Sequence, residues 1–177
     1  MEWIQCARDF VIWLLSQEWF RGAVLLSGVL VAVVSISNLR TLARRKQTAD
    51  ALFAGRNDEE FKLGLQCVSK IHDADNSNIR SFAKLENKDC DEFKKMLYVL
   101  NHFEFVSIGI QHGIYDEEMY RDASYGTVVS LHEKVMPFII AMRETRKRNT
   151  IFQEFVWLAD RWKSRPLKQK AAKNSRK

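Results

Sequence analysis

The longest apolar stretch of the chain runs from residue 22 to residue 39 and contains no charged side chain. A helix rises about 1.5 Å per residue, so this stretch extends roughly 27 Å, close to the thickness of a bilayer's hydrocarbon core. Because the stretch is apolar on every face and basic residues follow it, we predict a transmembrane helix over residues 22–40. The alternatives are a buried core helix and a cleaved signal peptide. Glu2 and the lack of a small-residue cleavage site argue against a signal peptide.

Residues 1–21 form a second element, in which apolar side chains recur at helical spacing. Tryptophan concentrates in the headgroup layer of membranes, so we predict an amphipathic helix in the plane of the interface. Its predicted interface anchors are Trp3, Trp13 and Trp19. The alternative is a second span, which would place Arg8 and Asp9 in hydrocarbon at a cost of about 2.5–3.5 kcal/mol each.

The flanks of the apolar stretch predict its orientation. The basic residues that follow it, and that we expect to contact membrane lipid, are Arg40, Arg44, Arg45 and Lys46. Positive residues are retained on the cytoplasmic side of a membrane. We therefore predict that the N-terminus lies outside and that the C-terminal domain is cytoplasmic. Residues 41–57 are assigned to a basic juxtamembrane linker.

Two small residues in the predicted span, Gly28 and Ala32, are four positions apart. Small residues at this spacing let transmembrane helices approach closely. Such spacings also arise often by chance, so the sequence permits self-association through this face of the helix and does not select it.

Residues 58–163 carry helical periodicity, and no stretch alternates with the period of a strand. We predict an all-α fold, in which a small cytoplasmic helical bundle follows the two N-terminal helices. Asp89 or Asp91 is expected to cap the helix over residues 89–111, and Gly113 to end it. Pro137 is expected to kink or split one helix, and Asn149 or Thr150 to cap the last one. Residues 164–177 form a basic tail that we expect to be disordered. The predicted helices cover about 58–72, 79–85, 89–111, a short segment from 116, 126–146 and 150–163.

The net charge of +6 is concentrated in basic clusters. Because these clusters lack interleaved aromatic residues and a reader fold, we expect lipid contact and no direct nucleic-acid binding. The three cysteines have no metal-binding spacing, which indicates free thiols in a reducing compartment.

Three polar residues interrupt the most apolar predicted helix: Asn101, His102 and Glu104. One interpretation is a catalytic site of a hydrolase-type enzyme. The other, which we favour, is that Asn101 and Glu104 tie helices together, by hydrogen bonds to Arg143, Tyr98 or Trp157, because a buried carboxylate needs partners. The four histidines are scattered singly, so we expect no metal and no cofactor.

The stretch Leu100 to Tyr120, together with Phe138 to Ile140 and Phe155 to Trp162, resembles a bacterial family known as domain of unknown function 4760. The resemblance covers roughly residues 60–163, and its most specific residues here are Asn101, Glu104, Gly109 and Gly113. In that family a helical domain often follows one N-terminal membrane span. The resemblance implies fold and topology, and it implies no activity.

These features together predict a membrane-anchored, non-enzymatic interaction protein. Proteins of this build resemble, by architecture, membrane effectors of phage-defence systems, including those encoded beside retron reverse transcriptases. We expect an inner-membrane effector that perturbs the membrane when a protein partner, such as a ribonucleoprotein or nuclease complex, releases it. The alternatives are a membrane-tethered scaffold or regulator without toxicity, and the hydrolase-type enzyme.

Overall fold

A computed structural model describes residues 2–74 and 78–168, with the backbone alone at residues 2, 10–12, 14–16 and 85. Within these ranges the chain forms six α-helices, two short 3-10 segments (Ile79–Ala83 and Leu85–Asn87) and no strand, which confirms the all-α prediction. The helices are α1 (Glu2–Ser16), α2 (Glu18–Asn57), α3 (Glu59–Asp73), α4 (Asp91–Gln111), α5 (Glu117–Arg146) and α6 (Gln153–Lys163). The chain divides into two compact units, the first ending at Ala43 and the second beginning at Arg44.

The first unit contains α1 and the apolar part of α2. Gln17 alone separates the described helices α1 and α2, so the predicted element over residues 1–21 is divided: it is helical to Ser16, and its last residues belong to α2. By length and composition α2 contains a segment able to cross a membrane, and none of its 18 most apolar consecutive residues is buried. The predicted apolar face of α1 includes Phe10, Val11 and Leu14, whose side chains lie outside the described ones.

The predicted linker over residues 41–57 is helical, because α2 continues without interruption to Asn57. Thr48 and Gly55 are buried, and Ala51 and Leu52 pack against the core of the second unit. These four positions form a narrow stripe at helical spacing, so burial of the stripe stabilises the helix. The sequence interpretation missed the stripe because it consists of small or weakly apolar residues within a polar segment.

Helix α4 lies at the centre of the second unit, where Met96, Val99 and Leu100 have no exposed surface. Helix α3 approaches it closely at Gly64: a Cβ atom there would lie 2.3 Å from Val99 Cγ2 and 2.8 Å from the Lys95 carbonyl oxygen. Helices α5 and α6 complete the core. Their largest fully buried side chains are Trp162, Tyr120, Phe138 and Phe155.

The C-terminal end of α4 follows the sequence prediction, whereas its N-terminal cap does not. Gly113 adopts a positive φ of 68° just beyond its C-terminus, as the sequence predicts for a helix-ending glycine. The N-cap is Cys90, where the sequence predicted Asp89 or Asp91. The Cys90 sulfur accepts a hydrogen bond from the Phe93 backbone N–H at 3.4 Å.

Two predicted helices, one from residue 116 and one over 126–146, form the single helix α5. Pro137 lies inside this helix and does not split it. The neighbouring Val135 and Phe138 are fully buried, so core packing compensates for the hydrogen bond that proline cannot donate.

The start of α6 differs from the sequence prediction. Phe152, with a left-handed φ of 53°, occupies the N-cap position, where Asn149 or Thr150 was predicted, and its side chain makes no capping hydrogen bond. The helix ends at Lys163, as predicted. The predicted tail, residues 164–177, lies outside the described residues from residue 169 onward.

Candidate functional site

The carboxylate of Glu104 caps α6 from the neighbouring helix α4. Its Oε2 atom accepts a hydrogen bond from the Phe155 backbone N–H at 2.8 Å. Phe155 lies in the first turn of α6, where backbone N–H groups lack partners within the helix. Burial raises the pKa of Glu104, and the hydrogen bonds from the α6 backbone oppose that shift. Glu104 therefore ties two helices together, as the favoured interpretation expected of it.

The hydrogen bond to Glu104 comes from none of the three residues that the sequence suggested, although the charge of Arg143 lowers the pKa of Glu104. Tyr98 instead donates its hydroxyl hydrogen bond to Asp58 Oδ2 at 2.7 Å, and Arg143 donates to the Ile151 carbonyl at 2.9 Å. The sequence did not predict that the Phe155 backbone N–H would be the donor. That N–H lies in the first turn of α6 only because the left-handed residue Phe152 starts the helix at Gln153.

Asn101 and His102 lie elsewhere than Glu104. The exposed Asn101 and the half-buried His102 line a groove that also involves α2. The His102 Nε2 atom is 3.5 Å from the Tyr120 hydroxyl, and its ring centroid is 4.4 Å from that of Phe61. Burial lowers the pKa of His102. The three residues therefore do not converge on one catalytic centre.

The groove beside Asn101 presents an exposed aromatic side chain. Phe105 is 76% exposed, although its position on the most apolar helix predicted burial. The groove has a volume of about 480 Å³. We call it the Phe105 groove, and it is lined by Ala51, Ala54, Tyr98, Asn101, His102, Phe105, Val106 and Tyr115. Exposed apolar surface next to a concavity is a common mark of an interaction site.

Two of the predicted lipid anchors are ion-paired within the second unit. Asp116 Oδ2 lies 3.3 Å from Arg44 Nη2 and 3.7 Å from Arg45 Nε. The same carboxylate caps α5 by accepting from the Met119 backbone N–H, and the Asp116 backbone N–H donates to Thr48 Oγ1 at 2.7 Å. Asp116 thus fastens the start of α5 to α2. The other two anchors, Arg40 and Lys46, have exposed side chains.

The remaining titratable groups do not form a metal site in the described ranges. Among residues 2–74 and 78–168, no three His, Cys, Asp or Glu side chains lie where they could hold a metal ion together. Cys6, Cys67 and Cys90 are free thiols. His132 is buried, with its Nδ1 atom 3.0 Å from Lys163 Nζ, and burial together with Lys163 lowers its pKa.

Fold and site geometry together define an all-α protein in which one long apolar helix leads into a helical unit. The chain belongs to the family described as a domain of unknown function (DUF4760), whose profile matches residues 23–162. The match confirms the resemblance seen in the sequence and extends it, because it includes most of the apolar stretch. No curated protein and no solved structure matches the chain.

Proposed function

We propose that this protein is a membrane-anchored, non-enzymatic interaction protein of the bacterial inner membrane. The observation that carries the proposal is the exposed apolar surface of α2 between residues 24 and 39. Ten large apolar side chains in this segment are each more than half exposed. Exposure of that much contiguous apolar surface to water is unfavourable, whereas a bilayer would remove it from water.

The flanking residues support an orientation with the helical unit in the cytoplasm. Arg40 and Lys46, on the C-terminal side of the apolar segment, are exposed and available to anionic headgroups. On the other side, Trp3, Trp13 and Trp19 are 88%, 57% and 66% exposed. Exposed tryptophans next to a span suit the headgroup layer.

The Phe105 groove is the surface that we assign to a protein partner. Exposed aromatic side chains at the centre of an interface commonly contribute most of its binding energy. Ala51 and Ala54 of α2 line the same groove, so a partner seated there would contact α2 directly. Binding at the groove could therefore restrain the helix that also carries the apolar segment.

The finer proposal is an effector of antiviral defence that its partner holds inactive. Loss of the partner would free α2, and self-association through Gly28 and Ala32 would let the apolar segments perturb the membrane. Neither residue has a neighbouring side chain that would obstruct such an approach, since a Cβ on Gly28 meets no atom within 4 Å and Ala32 is exposed. Arg44 and Arg45 could then exchange Asp116 for lipid phosphates.

The test is induced expression with a membrane-potential dye, alone and during phage challenge. We expect depolarisation and growth arrest, and we expect Leu30→Arg to abolish both, because a central arginine costs about 2.5–3.5 kcal/mol of insertion. Leu30→Ile is the matched control. Normal growth and potential under every condition, including infection, would refute the effector proposal and leave the tethered scaffold.

The surface assignment has its own test. Phe105→Ser removes the exposed ring, and we expect it to abolish partner capture from solubilised membranes without loss of folding. Ile140, 40% exposed on α5, provides the control variant Ile140→Ser. Equal partner capture by both variants would show that the groove is not the docking surface.

The enzyme alternative receives less support from the geometry. Glu104 is engaged by the α6 backbone, while Asn101 and His102 line the Phe105 groove. A hydrolase centred on these residues would need the carboxylate near the histidine. An activity that Glu104→Gln abolishes while folding is retained would restore that alternative.

A further inference from the structure

A second concave site in the helical unit adjoins the Phe105 groove at His102, and the function proposed above does not use it. A cavity of about 410 Å³ lies between the last turns of α2 and helices α3, α4 and α5. Its volume falls within the range of small-molecule sites, about 300–1,000 Å³. Its wall is mainly apolar, and the large apolar side chains that line it are Leu52, Phe53, Phe61, Leu65, Phe103 and Met119.

Two polar groups in the wall of this cavity, Tyr120 and His102, carry no charge at neutral pH. Tyr120 is 2% exposed, and its hydroxyl lies 3.5 Å from His102 Nε2. Burial lowers the pKa of His102 and raises that of Tyr120, so both side chains are neutral. Gly55 lies close to His102 in this wall, because a Cβ there would lie 3.4 Å from His102 Cε1. This part of the wall therefore suits an uncharged, mainly apolar group.

The rim of the cavity is cationic. Arg56 and Lys62 both line the cavity, and Lys62 is already paired with Glu59 at 2.7 Å. Arg56 is exposed, and its guanidinium group makes no hydrogen bond or ion pair with a side chain in the described ranges. A guanidinium group binds a carboxylate through two parallel hydrogen bonds. The rim thus complements a single carboxylate next to an apolar cavity.

We propose that this cavity binds one fatty acid, with its carboxylate on Arg56 and its acyl chain between α3 and α5. The lining residues of α5, from Met119 to Thr127, extend about 12 Å along the helix, which accommodates an extended medium-length chain. The site rests on the cavity and on Arg56, and it stands whether or not the protein perturbs membranes.

The test uses the full-length protein in phosphatidylcholine nanodiscs and a decanoic acid that carries a photoreactive diazirine in its chain. After illumination, we expect adducts in peptides covering residues 49–65 and 103–127. Arg56→Gln is expected to lower this labelling about tenfold, as loss of a hydrogen-bonded charge pair does. The control Arg148→Gln removes an exposed arginine that lies outside the cavity lining and outside the predicted membrane interface, and it is expected to leave labelling unchanged.

Two further measurements keep the proposal open to contradiction. Ala123→Trp places a large side chain at the exposed mouth of the cavity and is expected to block labelling without lowering the thermal unfolding temperature. The methyl ester of the probe, which lacks the carboxylate, is expected to label weakly. Adducts confined to residues 22–39, equal labelling of Arg56→Gln and Arg148→Gln, or equal labelling by acid and ester would overturn the proposal.

Discussion

The two most apolar helical segments of the chain have opposite surroundings. In α4, Met96, Val99 and Leu100 are completely buried by the surrounding helices, whereas Leu25 and Leu30 of α2 are 72% and 67% exposed. The two segments differ in sequence by the presence of a polar stripe, and this difference determines whether protein can surround the helix. Helix α4 keeps a polar stripe for contact with water and with α6, while the α2 segment has none. A helix without a polar face has no stable place at the surface of a protein in water.

The largest expected effect comes from truncating one leucine to alanine in each of the two segments and comparing their stabilities. Leu100→Ala removes a fully buried side chain, so we expect it to lower the free energy of unfolding of the helical unit by about 2–5 kcal/mol. Leu30→Ala is expected to leave that free energy unchanged. Urea titration followed by tryptophan fluorescence measures both, and an equal loss in both variants would show that the α2 segment packs against protein.

Replacing one glycine in each of the two units by alanine tests the same difference between buried and exposed helix surface. Gly64→Ala forces a Cβ against Val99 and the Lys95 carbonyl, so we expect α3 and α4 to separate at a cost of about 1–3 kcal/mol. Gly28→Ala meets open space and is expected to be neutral for unfolding. Thermal unfolding followed by circular dichroism distinguishes the variants. A tolerated Gly64→Ala would contradict the close packing of these helices.

The polar residues of α4 are expected to differ as well. Glu104→Ala leaves the Phe155 N–H without its acceptor and is expected to cost about 1–2 kcal/mol, whereas Asn101→Ala, at an exposed position, costs little. Glu104→Gln keeps an acceptor oxygen and is expected to lose less than Glu104→Ala. Chemical denaturation tests the order, and equal values for Glu104→Ala and Asn101→Ala would remove the capping role.

The smallest expected effect concerns pH. Burial holds the pKa of His102 below its ordinary value of 6.5, so the unfolded chain binds this proton first. The stabilising contribution is complete above pH 6.5 and is lost as the pH falls from there through the folded-state pKa. His132 shifts in the same direction. Unfolding measured from pH 7.5 to pH 5 is expected to be less pH-dependent in His102→Asn, and an unchanged slope would contradict the burial of His102.

Features with strong periodicity or composition were predictable from the sequence. The helix over Asp91–Gln111, the stop at Gly113 and the all-α class follow from regular apolar spacing and one glycine. The helical continuation from Arg44 to Asn57 was not predicted. Its buried stripe includes Thr48 and Gly55, two residues that no hydrophobic pattern selects.

The candidate site was less accessible to sequence reasoning, because its contacts are tertiary. The role of Glu104 depends on the left-handed backbone at Phe152, which leaves the first turn of α6 without a local cap. The pairing of Arg44 and Arg45 with Asp116 joins residues about 70 positions apart. A single sequence reports such pairs only as isolated charges, which is why both arginines were assigned to lipid alone.

The most direct test of the proposed span is thiol labelling from one side of the membrane. Cys6 precedes the apolar segment and is exposed, and Ser130→Cys places an exposed thiol on α5. In spheroplasts that express a variant carrying Cys67→Ser, Cys90→Ser and Ser130→Cys, an impermeant maleimide is expected to label Cys6 at once and the thiol at position 130 only after permeabilisation. Equal labelling of the two thiols in intact spheroplasts would contradict a membrane span between them.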